Sequence, residues 1–220
     1  MTRFKQKWTK DRKQVEIADL ETKYNLFLTF VDGPLKFCHT DFHSKPHMAG
    51  LYITGRDITE YDSDIKTLKL NPLHQYVEIG AGLGEFTPRL IETFGSRLKN
   101  KPIVIDPGNY SVMADLLNYA LTLSIEDRMK VKLRRLNQRC EIIRDPKQVK
   151  LINLTLEEAI TQHPEILGIA DVVIDNAGAS HYTEHEHAWE LEGKLLKPNG
   201  LLFAEVIRSG ICAKPSTPQL

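Results

Sequence analysis

Residues 75–90 read QYVEIGAGLGEFTPRL, and this stretch constrains the fold of the chain more than any other. Tyr76, Val77 and Ile79 make a short apolar run of the kind a buried parallel strand needs. Gly80, Gly82 and Gly84 follow at alternate positions, and residues 86–94 have helical spacing with Pro88 early in the first turn. Strand, glycine turn and helix in that order form the context in which a glycine pattern points to a nucleotide site. Glycine suits such a turn because the backbone takes positive φ and because a Cβ would block a close ligand. Tight strand-to-helix turns without ligands use glycine as well, so a purely structural role stands beside the binding one.

Composition narrows the class. The chain has 220 residues, 41% hydrophobic and 26% charged, which is ordinary for a globular protein and enough for one sizeable core. Its formal net charge is zero, so whole-molecule electrostatics give no hint of a polyanionic partner. Cys38, Cys140 and Cys212 are scattered without paired spacing, which suits a reducing compartment better than a disulfide framework. The first residues are basic and polar, and no apolar run approaches the roughly 18 residues of a membrane span. The expectation is a soluble cytoplasmic protein with no membrane partner.

Along the chain, residues 1–13 carry Arg3, Lys5, Lys7, Lys10, Arg12 and Lys13 with Phe4 and Trp8 interleaved. This is either a basic arm for nucleic acid or lipid, or a solvated helix whose aromatics dock on the body. Residues 15–30 show an approximate helical stripe through Val15, Ala18, Leu20, Tyr24, Phe27 and Leu28, broken at Gly33-Pro34. Residues 1–56 are therefore expected to form an N-terminal helical segment. Within it, His39, His43 and His47 recur every four residues and would align on one helix face, where they are weak candidates for a zinc site. Pro46 and Gly50 argue against a continuous helix there, and no metal is expected. Residues 57–70 read as a further helix with Asp57 and Glu60 as a capping box, stopped by Asn71-Pro72.

Residues 57–220 read as alternating strands and helices. A second strand, 102–105, ends at Asp106, followed by Pro107. An acid there, about twenty residues past the glycines, is placed to accept hydrogen bonds from both hydroxyls of a ribose; the alternative is a helix cap, because Asp-Pro-Gly-Asn is strong turn chemistry. Residues 111–123 read as a helix. Residues 128–150 are heavily basic, and serve either as a phosphate-binding face or as a solvated helix surface. A third strand, 149–152, ends at Asn153 and Leu154, and Thr155 with Glu158 caps the next helix. A fourth strand, 170–174, runs into Asp175, Asn176 and His181. A helix over 182–196 and a Lys197–Gly200 turn precede a fifth strand at 201–206.

The spelling Glu78-Ile79-Gly80-Ala81-Gly82-Leu83-Gly84 resembles the first motif of class I methyltransferases that use S-adenosylmethionine. The Leu-Lys-Pro-Asn-Gly turn ending at Gly200 is similar to the one preceding their fifth strand. The resemblance covers residues 57–207. It implies an α/β, Rossmann-like doubly wound fold with a mainly parallel sheet in the order 3-2-1-4-5, the usual final strand pair being short or absent. An N-terminal segment would act as a lid. It implies S-adenosylmethionine held by Glu78, Gly80, Ala81, Gly82, Gly84 and Phe86 around the turn. Asp106 and Pro107 would hold the ribose, Asn153 and Leu154 the adenine, and Asp175 and Asn176 would line the far side. His181 and Asp175 are the candidate catalytic bases, although Asp175 serves equally as a cofactor ligand or loop cap. The expected acceptor is a small molecule; the basic stretches keep a nucleic-acid acceptor as an alternative, and a second copy of the chain is a candidate cover for the sheet edge.

Three other readings stand beside this one. Asp175-Asn176-Ala177-Gly178 resembles a motif of NAD-dependent short-chain dehydrogenases, but none of the tyrosines has a lysine four residues on to form their proton-transfer pair. The first motif also resembles that of ribosomal adenine methylases, whose Asn-(Leu/Ile)-Pro-Tyr motif is lacking here. A non-catalytic S-adenosylmethionine-binding partner subunit is the third.

Overall fold

The computed structural model describes residues 4–8, 12–17, 24–31, 38–44, 51–54, 68–124, 127–176 and 178–205. It divides into two compact units, one of residues 1–56, 82–85 and 108–145, the other of residues 57–81, 86–107 and 146–220.

The first unit holds a five-stranded antiparallel sheet in sequential order, β1 (Phe4–Trp8), β2 (Arg12–Ile17), β3 (Tyr24–Val31), β4 (Cys38–Ser44) and β5 (Leu51–Thr54). Phe4 pairs with Ile17, Lys13 with Phe30, Asn25 with His43 and Thr40 with Ile53. The helical segment expected over residues 1–56 is therefore corrected to strands throughout its described part. The physical reason is period. Phe4, Gln6 and Trp8 alternate with Lys5 and Lys7, and YNLFLTFV is dense in aromatic and β-branched residues that suit a pleated surface better than a helix. The strand also removes the basis for aligning the histidines on one helix face. Four residues on a strand span about 13 Å of backbone, against about 6 Å on a helix; His39 and His43 lie on β4, and His47 lies outside the described residues.

Two helices belong to the same unit. The first, α2 (Tyr110–Leu121), is capped by Asn109, whose side chain accepts from the Val112 amide. The second, α3 (Asp127–Arg144), packs against it through Met129, Leu133, Leu136, Cys140 and Ile143. That stripe recurs at three and four residues and takes in the buried Arg139, while the other basic residues of the helix fall outside it. Many are paired: Lys130 with Asp127, Arg135 and Arg139 with Glu85, and Arg144 with Glu141.

The second unit is the doubly wound sheet. Its strands are β6 (Tyr76–Ile79), β7 (Ile103–Ile105), β8 (Lys150–Ile152), β9 (Ala170–Asn176) and β10 (Leu196–Glu205). All four pairings are parallel and the spatial order is β8-β7-β6-β9-β10, which is 3-2-1-4-5 in order of appearance. Helices α1 (Phe86–Phe94), α4 (Leu156–Gln162), α5 (Ala179–Tyr182) and α6 (His185–Leu195) fill the crossovers. The pleat sorts the core into two layers. Val77, Ile79, Ile103, Ile105 and Val173 face α4 and α6, packing on Leu156, Leu191 and Leu195; Tyr76, Val172 and Ile174 face α1, packing on Phe86 and Leu90.

Loop chemistry behaves as expected. Thr155 and Glu158 form a reciprocal capping box at the start of α4. The Lys197–Gly200 turn bulges out of β10: Leu196 pairs with Ala170 and Leu201 with Val172, while Asn199 takes φ 68°. The helix expected over residues 182–196 is broken at Thr183, leaving the short α5 ahead of α6.

Candidate functional site

In an open parallel sheet, ligands lie beyond the carboxyl ends of the strands, where the order of connection reverses. Here that point falls between β6 and β9, because the chain runs outward from β6 to β8 and then returns to the other side. The register sets Ile79 opposite Asp175, and the ladder continues past the strand tips: the Gly80 amide donates to Ile105 O at 2.9 Å and the Asp106 amide to Ile152 O at 3.0 Å. Asp175, Gly80, Asp106 and Asn153 therefore stand on four adjacent strand ends, spaced by about 4.8 Å from one strand to the next.

At the tip of β7, Asp106 is a carboxylate only 4% exposed. Its carbonyl accepts a 3.1 Å hydrogen bond from the Asn153 side-chain amide at the tip of β8, so the two sequence candidates are joined directly. Pro107 follows, half-buried, and Leu154 packs against the core layer under α4.

The glycine turn is more constrained than its spelling suggests. Gly80 has φ 62° and Gly82 φ 51°. A Cβ on Gly80 would overlap the Cα of Gly178, and one on Gly178 would come within 2.6 Å of Ile79 O. The loops leaving β6 and β9 thus touch backbone to backbone, and the neighbour that forbids a side chain at Gly80 is another glycine of the same chain. Ala81 and Gly84 are buried, each in its own unit, and Phe86 belongs to the core layer under α1.

Glu78, on the α1 face of β6, is buried and accepts a 3.0 Å hydrogen bond from the Thr87 amide. It satisfies one of the orphan donors at the start of α1 and complements the helix dipole.

Asp175 is fully buried, with Oδ1 accepting from the Gly178 amide at 2.5 Å and Oδ2 from the Ser180 amide at 2.8 Å. Of its open roles, the geometry is that of a loop cap: both oxygens hold the turn between β9 and α5. Asn176 ends β9 and His181 lies in α5, the side chains of both being outside the described residues.

Two buried charged residues, one in each unit, were given no role by the sequence. Glu192, on α6, is fully buried, and among the described residues neither of its oxygens meets a hydrogen-bond partner of good geometry. Burial above all, and then the neighbouring Asp175 carboxyl, push its pKa up to about 11. Burial and the neighbouring carboxyl together favour the neutral acid at pH 7. The signal was legible, since Glu192 sits four residues from Ala188 and beside Leu191 on the buried face of its helix. Arg139, in the first unit, was submerged in the basic run; it is 3% exposed and donates to Leu83 O at 3.2 Å.

No described group of three or more histidine, cysteine or acidic residues could hold a metal ion. Among the described residues no helix is long and apolar enough to cross a membrane.

No family model matches the chain, and no curated protein matches it. A solved structure described as trans-methyltransferase CalH in complex with SAH is similar at 20% identity, over 61% of this chain, with a TM-score of 0.39. The chain spans 32% of that protein's length. A superposition of that quality does not establish a common fold; the doubly wound assignment rests on the strand order itself.

Proposed function

We propose that the chain is a methyltransferase that takes S-adenosylmethionine at the carboxyl ends of β6 and β7. The observation that carries this is the buried Asp106 carboxylate at the tip of the second strand of a 3-2-1-4-5 sheet, one strand from the Glu-x-Gly-x-Gly-x-Gly turn. An ionised carboxylate is an acceptor-only group, suited to two ribose hydroxyls and unsuited to a phosphorylated ribose. Asn153, tied to Asp106 through its amide, would sit against the adenine. The third glycine of the turn, Gly84, comes earlier than that of the dinucleotide folds, which present a helix N-terminus to a pyrophosphate.

When bound, the cofactor supplies an electrophilic methyl group on sulfur for in-line displacement by an acceptor atom. The chain's own contribution is then chiefly positioning, which can supply much of the acceleration without a dedicated base. Asp175 contributes by holding the 178–180 turn at the switch point. His181, next to that turn, is the residue proposed to accept a proton if the acceptor is a hydroxyl. A small-molecule acceptor is favoured over RNA because basic residues of α3 are engaged with Glu85, Asp127 and Glu141.

Calorimetry tests the cofactor. The chain should bind S-adenosylmethionine and its demethylated product and not NAD. Asp106→Asn should weaken binding about tenfold or more, since a buried charge-assisted acceptor is lost. Near-normal affinity in that variant would count against the assignment. Nucleic-acid binding that falls steeply with added salt would transfer the proposal to an RNA acceptor.

A further inference from the structure

The inference rests on the cofactor reading above. In the first unit, the last residues of the glycine turn are held by two side chains far along the sequence. Tyr110, opening α2, donates its hydroxyl to Gly82 O at 2.8 Å. Arg139, on α3, donates Nη1 to Leu83 O at 3.2 Å, and its Nη2 lies 3.8 Å from Glu85 Oε1. The same Glu85 oxygen takes a 2.6 Å hydrogen bond from Arg135.

Burying a guanidinium is expensive unless it is paired and hydrogen-bonded, and apolar residues of similar volume commonly serve packing better. The stripe around Arg139 is apolar: Leu136, Cys140 and Ile143 are all buried. What the guanidinium adds to packing is direction. In a trans peptide the N–H points opposite to the C=O. Holding the Gly82 and Leu83 carbonyls toward Tyr110 and Arg139 turns the amides of Leu83 and Gly84 the opposite way. The conformation of the turn is set by these bonds as well as by its glycines.

We propose that Arg139, seconded by Tyr110, is a positioning residue for the S-adenosylmethionine site: it fixes the peptide orientations of the glycine turn, and through them the affinity for the nucleoside. Arg139 touches no reacting atom; it acts through Leu83 and Glu85.

The test compares the full chain with Arg139→Met, Arg139→Lys and Tyr110→Phe, well below their unfolding temperatures. S-adenosylmethionine affinity is measured by calorimetry, and amide hydrogen exchange without nucleoside is followed in peptides covering 80–87 and 170–176. Arg139→Met should raise Kd about tenfold. Arg139→Lys should raise it less, because an ammonium reaches one acceptor where the fork reaches two. Exchange should accelerate at 80–87 while 170–176 stays protected. A wild-type Kd in Arg139→Met, or equal acceleration in both regions, overturns the proposal. If Arg139→Met does not fold, Tyr110→Phe decides: unchanged Kd with unchanged exchange at 80–87 overturns it. A wild-type chain that binds no S-adenosylmethionine overturns the cofactor reading and this inference with it, a result read before any variant is made.

Discussion

Replacing Glu192 by glutamine should stabilise the protein at neutral pH. The carboxyl ionises near 4.5 when solvated and is pushed up to about 11 in the fold, by burial first and by Asp175 second. At any pH between those values the unfolded chain releases a proton that the folded chain must hold. The sign follows from linkage: stability is fully present below pH 4.5 and is lost progressively as pH rises toward 11. At about 1.36 kcal/mol for each pH unit above the solvated value, the cost at pH 7 is about 3 kcal/mol. Relaxation around the carboxylate reduces this, so a gain of about 1–3 kcal/mol is expected in Glu192→Gln. Glutamine has the same shape, cannot ionise, and offers an N–H to the Asp175 carboxylate. Urea unfolding of both proteins from pH 5 to pH 8.5 reads the effect as a difference, in which titrating groups not coupled to Glu192 cancel. The variant should match the wild type near pH 5 and pull ahead as pH rises. Equal stability across the range, or a variant weaker at pH 8, would refute the buried neutral acid.

Gly80→Ala should destabilise by about 3 kcal/mol or more, as it meets both a left-handed backbone and the Gly178 Cα. Gly95→Ala and Gly168→Ala, also at positive φ but with open space, should cost only about 1 kcal/mol by thermal unfolding; equal losses at all three would deny the glycine–glycine contact. Thr155→Ala, which removes the capping box of α4, should cost about 1 kcal/mol in the same assay. Cys140, whose thiol burial above all pushes up to about 12, should resist a thiol reagent at pH 8 in a Cys38→Ser, Cys212→Ser background and react once unfolded. Rapid labelling of the native protein would contradict its burial.

Much of the second unit could be read from the chain because its signals are local. Short apolar runs at 76–79, 103–105 and 170–174 lie between glycine, proline and aspartate turns, and a parallel sheet buries both faces of each. The Thr155 capping box and the Asn199 turn need only neighbours in sequence. The N-terminal sheet is hard to read because its apolar residues, taken over sixteen positions, approximate a helical stripe, while a period of two shows only in short pieces such as FKQKW and QVEI. Asp32-Gly33 falls between β3 and β4, but no Asn-Gly or Asp-Gly marks the other three hairpins. The contacts that shape the site are long-range: Gly80 against Gly178, Glu192 under Asp175, Arg139 on Leu83. Each residue carried a hint, a glycine past a strand end or a charge on an apolar stripe, but its partner lies 56 residues away for Arg139 and further for Gly80. Only the fold brings these together.

A crystal structure of the chain grown with the demethylated cofactor product would show what lies against Asp106. Density is expected across the ends of β6 and β7, with both ribose hydroxyls in hydrogen-bond reach of the Asp106 carboxyl group. Nucleoside density elsewhere, or side chains filling that crevice with the carboxylate turned away, would contradict the cofactor assignment.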